Sequence, residues 1–184
     1  AERAAVSKML SRLGGKRFFD GFTVEKFTRT GKNKDALAAA IGFDPRKENL
    51  YFHGPTGTGK THLAVIAGRR FRDVNFLQLS DLARDIRASD GADREQDIFD
   101  YWSSNPVVIL DDLGASKDTA FTLDLLYNLI DKRYRDDRNG LIITSNLSLS
   151  ELSAKLSDDR VPSRLAQMCR IFSLTGEKDW RIKK

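Results

Sequence analysis

Apolar positions along the chain fall into short blocks separated by amphipathic stretches. Asn49–His53, Val74–Leu79, Val107–Leu110, Leu141–Thr144 and Ile171–Leu174 read as strands. Val107–Leu110 is apolar without interruption, the pattern of a strand buried on both faces of a parallel sheet. Helical spacing marks residues 2–13, closed by Gly14–Gly15, and residues 34–41, stopped by Gly42. It recurs at Lys60–Arg72, where Leu63, Ala64, Ile66, Ala67 and Phe71 are apolar, and at Asp81–Ser89, with Ser80 as N-cap. Further helices are expected at Asp93–Ser103, Asp118–Asp136, Ser150–Leu156 and Pro162–Met168. Residues 16–33 are irregular, basic and rich in Phe. Strands alternating with helices predict an α/β domain with a mostly parallel sheet.

Composition narrows this picture. The 184 residues suffice for one domain with a sizeable core. No stretch approaches the roughly 18 uncharged apolar residues of a membrane span. The single cysteine, Cys169, excludes a disulfide framework and any multi-cysteine zinc site. A lone thiol and a charged N-terminus without an apolar leader point to the cytoplasm. The first residue, Ala1, fits a processed chain or a piece of a longer one. Net charge is 31 − 26 = +5, compatible with a polyanionic partner and equally with an ordinary basic domain.

Gly54-Pro55-Thr56-Gly57-Thr58-Gly59-Lys60-Thr61 matches G-x-x-x-x-G-K-[ST] at every fixed position. It follows an apolar strand and opens a helix, the context in which such a loop cradles phosphates. Glycines let successive N–H groups turn inward, and the helix N-terminus adds partial positive charge. Lys60 is placed to neutralise the β- and γ-phosphates, and the Thr61 hydroxyl to ligand Mg²⁺. With glycine near 7% of residues, chance gives these fixed positions in under about one such chain in a hundred.

A second apolar strand ends in carboxylates at Asp111-Asp112. In a parallel sheet the carboxyl ends of the strands share one edge, so these acids emerge beside the phosphate loop. Asp111 is placed to hold Mg²⁺ through water, and Asp112 to orient or deprotonate an attacking water. Asp111-Asp112-Leu113-Gly114 is also ordinary turn chemistry. Leu141–Thr144 repeats the design and ends in Ser145-Asn146, where Asn146 could bridge the γ-phosphate and the attacking water, or simply precede a helix. Arg160 and Arg164, four apart, share a face if helical. They read either as a solvated basic face or as an arginine finger for a neighbouring subunit's site.

Together these residues carry a resemblance. The loop with Lys60-Thr61-His62-Leu63-Ala64, then Asp111-Asp112-Leu113-Gly114, Thr144-Ser145-Asn146 and Ser163-Arg164-Leu165, resembles the AAA+ ATPases of the DnaC/DnaI helicase-loader and IstB group. Phe18-Phe19-Asp20-Gly21-Phe22 is similar to the segment that lies against the adenine in that group, and residues 172–181 to its C-terminal strand and tail. The resemblance covers roughly residues 16–184, leaving 1–15 as an N-terminal helix or remnant.

It implies a P-loop NTPase of the AAA+/ASCE type: a three-layer sandwich around a five-stranded parallel sheet in order 5-1-4-3-2. It implies ATP and Mg²⁺, with ATP contacted by Gly54, Pro55, Thr56, Gly57, Thr58, Gly59, Lys60, Thr61, His62, Phe19 and Phe22. It implies metal ligands Thr61 and Asp111, and catalytic roles for Lys60, Asp112, Asn146 as sensor 1 and Arg164 as finger, with Arg160 the second candidate. The partners implied are a replicative helicase of the DnaB type, single-stranded DNA, and further copies of the chain in a ring or spiral. DNA contact would run through Arg84 and Arg87, alternatively through Lys132, Arg133 and Arg135.

The chain departs from that pattern in three places. Asp112 stands where many AAA+ proteins have Glu, so hydrolysis is expected to be slow and stimulated by assembly or DNA. After the fifth strand too few residues remain for a full C-terminal lid, and Arg181 is the one substitute for a sensor 2 arginine. No cysteine cluster marks a zinc-bearing partner domain. The leading expectation is an ATPase that loads the replicative helicase on single-stranded DNA. The alternative is an IstB-type transposition helper that binds double-stranded DNA and a transposase. A non-hydrolysing ATP-binding module and a small-metabolite kinase stand behind these two.

Overall fold

The structure, a computed structural model, describes residues 21–89, 91–115, 119–136, 140–176 and 179. The expected N-terminal helix, Phe19 and Arg181 lie outside them. Five strands, β1 (Asn49–His53), β2 (Val74–Leu77), β3 (Val107–Leu113), β4 (Gly140–Ser145) and β5 (Cys169–Ser173), form one sheet in order β2-β3-β4-β1-β5. Every neighbouring pair is parallel. Read from the other edge this is 5-1-4-3-2, the expected order. The helices are α1 (Lys34–Gly42), α2 (Lys60–Gly68), α3 (Leu79–Arg87), α4 (Ala92–Ser103), α5 (Ala120–Arg135), α6 (Leu149–Leu156) and α7 (Arg160–Met168).

Alternation along the strands divides the core between two faces. Leu50, Phe52, Val107, Ile109 and Ile142 pack with α1 and α2. Tyr51, Val108, Leu110, Leu141 and Ile143 pack with α3, α5, α6 and α7. All ten strand residues are 0% exposed. At about 1.5–3 kcal/mol for each large apolar side chain removed from water, this double-sided burial is the main stabilising contribution to the sheet. Helices on both faces make the three-layer architecture. No helix among the described residues is long and apolar enough to cross a membrane.

Several boundaries differ from the pattern, each for a local reason. The helix expected over Lys60–Arg72 ends at Gly68, where a Cβ would lie 2.7 Å from Ile109 Cδ1. There the chain turns, and the Phe71 N–H bonds back to the Gly68 carbonyl at 3.0 Å. Ser80 is not an N-cap: extended Gln78 precedes α3, and Leu79 opens the helix with its side chain buried. Thr119 and Ser148 cap α5 and α6 with reciprocal capping boxes, through Thr122 and Glu151. Pro162 falls within the first turn of α7, where its missing N–H has no partner to lose. β3 continues past Leu110 to Leu113, carrying both aspartates inside the strand.

Candidate functional site

The loop after β1 wraps upon itself. Thr58 Oγ1 donates to the Pro55 carbonyl at 2.9 Å, closing the loop from within. Gly59, at φ +94°, stands at the N-cap of α2, and a Cβ there would lie 2.9 Å from Phe27 Cε2. Gly57, at φ +80°, is met by the carboxylate of Asp179, which a Cβ would strike. Lys60 is 5% exposed, and its Nζ donates to the carbonyls of Gly54 at 2.8 Å and Pro55 at 2.7 Å. The ammonium is thus held at the loop, where phosphate oxygens would compete for it.

Across the sheet edge, Thr61 Oγ1 donates to Asp111 Oδ1 at 3.0 Å, joining residues fifty positions apart. The same oxygen accepts the Thr144 hydroxyl at 2.6 Å. Burial pushes the Asp111 carboxyl above its ordinary range, with the Thr144 and Thr61 hydrogen bonds acting in the opposite sense. A buried carboxylate flanked by hydroxyls is a hard-oxygen donor set, suited to Mg²⁺. Among the described residues no group of three His, Cys, Asp or Glu could cage a metal. The residues therefore fit a Mg²⁺ that takes its remaining oxygens from water and phosphates.

Asp112 is exposed and sits at φ +54°, outside the regular strand conformation. With Asn146 it lines a cavity of about 230 Å³. Thr56, Gly57, Gly59, Lys60 and Thr61 line it too, as do Phe22 and His62. The rings of Phe22 and His62 stack at 4.9 Å, and Phe27 meets His62 edge-on. His62 Nε2 lies 2.8 Å from the Thr23 carbonyl, and burial lowers its pKa. The expected residues Lys60, Thr61, Asp112, Asn146, His62 and Phe22 are thus brought to one cavity, with Asp111 joined to it through Thr61.

The arginines are elsewhere. Arg164 and Arg160 do share a face of α7, both over the Tyr127 ring at 4.8 Å. Arg164 pairs with Asp131 at 2.7 Å and is a quarter exposed. Arg160 pairs with Asp158 at 2.5 Å and is two-thirds exposed. Neither lines this cavity. Arg84 pairs with Asp81 at 2.8 Å, while Arg87 lies over the Phe121 ring at 4.9 Å. Arg84 lines a larger cavity than this one, about 810 Å³ between α3 and α4, together with three aspartates and Arg94. That cavity lacks a phosphate loop, so size does not locate the chemistry here. Arg133 is 2% exposed, bonded to the Asn105 carbonyl at 2.6 Å, and cannot touch a nucleic acid from there.

Thr144 has no role in the sequence motifs, although a threonine closing the run Leu141-Ile142-Ile143 is the signal of a polar partner at that strand end. Nor do the motifs mark Ser145, whose Oγ donates to the Leu113 carbonyl at 2.7 Å, or Tyr51, whose OH donates to the Leu147 carbonyl at 2.9 Å. These bonds brace the strand that presents Asn146.

Residues 3–184 match the family described as IstB-like ATP binding protein. The chain belongs to this family. A Geobacillus stearothermophilus protein, named for ATP binding in insertion sequence IS5376, is 28% identical over 95% of this chain and 72% of its own length. A Mycobacterium tuberculosis protein, likewise named for ATP binding in an insertion sequence, is 36% identical over 79% of this chain and 60% of its own length. The crystal structure of the DnaC helicase loader superposes with TM-score 0.69 at 21% identity, over 86% of this chain and 99% of that one. At that identity the likeness is one of fold. The IstB-like chain is thus a P-loop AAA+ ATP-binding domain, as its motifs implied.

Proposed function

We propose that this IstB-like domain binds and hydrolyses Mg²⁺–ATP as an assembly switch on DNA, and serves a transposase as its helper. The observation that carries the ATP reading is the Thr61–Asp111 contact, which unites the phosphate loop with the acidic end of β3 at 3.0 Å. Lys60 would leave the loop carbonyls for the β- and γ-phosphates. Thr61 and Asp111 would hold Mg²⁺, which supplies charge neutralisation at the phosphates. Asp112 would accept a proton from the attacking water, and Asn146 would orient it. Phe22 and His62 offer the base a flat apolar wall.

Family membership and the insertion-sequence relatives favour the transposition helper over the helicase loader. The loader reading keeps the motifs common to both groups, together with the DnaC fold. In either reading copies of the chain assemble, and Arg164 or Arg160 of one copy completes the site of the next. Arg160 is the more exposed of the two. Phosphate contact by Arg84 would have to draw it from Asp81, at 2.8 Å. The work is expected to be done in the cytoplasm.

The test is fluorescence anisotropy with labelled single- and double-stranded DNA, with and without Mg²⁺–ATP, across a salt series. ATP-dependent binding to duplex, lost in Lys60→Ala and weakened in Arg164→Ala or Arg160→Ala, is expected. ATP-dependent preference for the single strand would return the loader to first place. No ATP dependence in either case would overturn the switch.

A further inference from the structure

Asp111 and Asp112 are consecutive, yet one is buried beside Thr61 and the other is exposed at the cavity. What separates them is an irregularity in β3. The register runs Leu110↔Ile143 and then Leu113↔Ser145, so three steps on β3 match two on β4. Such a bulge interrupts the ladder and leaves a backbone group needing another partner. Here the Asp112 N–H donates to Thr144 Oγ1 at 2.9 Å, and Asp112 takes φ +54°. The same Thr144 hydroxyl donates its own proton to Asp111 Oδ1 at 2.6 Å. Thr144 is 0% exposed, so no water shares in these bonds from solvent.

We propose that Thr144 is the positioning residue of the Mg²⁺–ATP site: one buried hydroxyl turns Asp111 toward the Thr61 hydroxyl and holds the bulge that turns Asp112 toward the cavity. The inference rests on the Mg²⁺–ATP reading above. Thr144 is not among the residues lining the cavity; it acts through the Asp111 carboxylate and the Asp112 backbone. Partners that orient a metal ligand from behind commonly matter by about 10–100-fold in metal affinity. Thr144 also lies two residues before Asn146, which directly follows the end of β4. The element that aims the carboxylates therefore also presents the amide.

The experiment titrates Mg²⁺ into the chain with the fluorescent analogue N-methylanthraniloyl-ATP and compares Thr144→Val, Thr144→Ala and Thr144→Ser. Val and Ala should raise the Mg²⁺ concentration for half-maximal tightening by about 10–100-fold. Ser should stay within about threefold of wild type, since it keeps the hydroxyl and loses only a methyl. Analogue affinity in EDTA should stay within about twofold for all three. Ser shifting as far as Ala would make the methyl, and so packing, the cause, and would overturn the inference. Equal losses with EDTA and with Mg²⁺ would overturn it too. If wild type tightens with Mg²⁺ and Thr144→Val tightens equally, this inference alone falls. If wild-type affinity ignores Mg²⁺, the Mg²⁺–ATP reading falls and takes the inference with it.

Discussion

Asp112 meets the cavity with its carboxylate exposed, while Asp111 is buried against two hydroxyls. In the proposed mechanism, removing the charge from Asp112 would remove a proton acceptor and leave Asp111 in place to hold Mg²⁺. Asp112→Asn should lower ATP hydrolysis by about 10²–10⁴-fold and leave nucleotide affinity within a few-fold. Phosphate release paired with nucleotide titration reads both quantities. Unchanged hydrolysis would mean that another group accepts the proton.

A second residue-scale prediction concerns Tyr51. Burial raises its phenol from 10.0 to about 12, and its OH donates to the Leu147 carbonyl. The fold favours the neutral form, so this contribution is complete below the phenol's ordinary value. It fades as pH rises from about 10 toward 12. Ultraviolet titration should show one tyrosine ionising late, and Tyr51→Phe should abolish that late step. A late step that survives in Tyr51→Phe would place the perturbed phenol elsewhere.

The order and type of the elements could be read from the chain because the apolar runs of β1 to β4 are strands buried on both faces, and helical spacing fills the gaps. Their ends were less readable, since several are decided by contacts far away in sequence. Arg69–Arg72 continues a helical pattern, yet α2 stops at Gly68 because Gly68 lies against Ile109. Ser80 is a good cap by type, yet α3 starts two residues earlier than expected, with Leu79 buried. Where the cap is local, its worth can be predicted. Thr119 accepts the Thr122 N–H at 3.2 Å and Ser148 accepts the Glu151 N–H at 3.3 Å. Thr119→Ala and Ser148→Ala should each cost about 1 kcal/mol in chemical denaturation. Ser80→Ala, which removes no observed cap, should cost distinctly less. Equal losses at all three positions would show that the capping boxes contribute nothing special.

At the scale of the molecule, the phosphate loop belongs to α2 and β1, the carboxylates to β3, and Asn146 to the end of β4. Lys60-Thr61 and Asp111-Asp112 are each recognisable by spacing alone. Their meeting is not, because it depends on β4 inserting between β1 and β3, and that order followed from family resemblance rather than from periodicity. Thr144 illustrates the gap: its two partners are thirty-two and thirty-three positions away, and no local pattern pairs them. A ligand seated there would bridge three strands and a helix, so it should stabilise the sheet as a whole. At a nucleotide concentration one hundred times its dissociation constant, linkage gives about 2.7 kcal/mol. For a chain of 184 residues that corresponds to a rise of about 5–10 °C in the unfolding midpoint. Differential scanning calorimetry with and without Mg²⁺–ATP should show one transition moving upward as a unit. Lys60→Ala should unfold near the wild-type temperature without nucleotide and lose most of the rise with it. If Lys60→Ala keeps the full rise, the nucleotide binds outside this loop. If only part of the transition moves, β1, β3 and β4 do not act as one cooperative platform for the site.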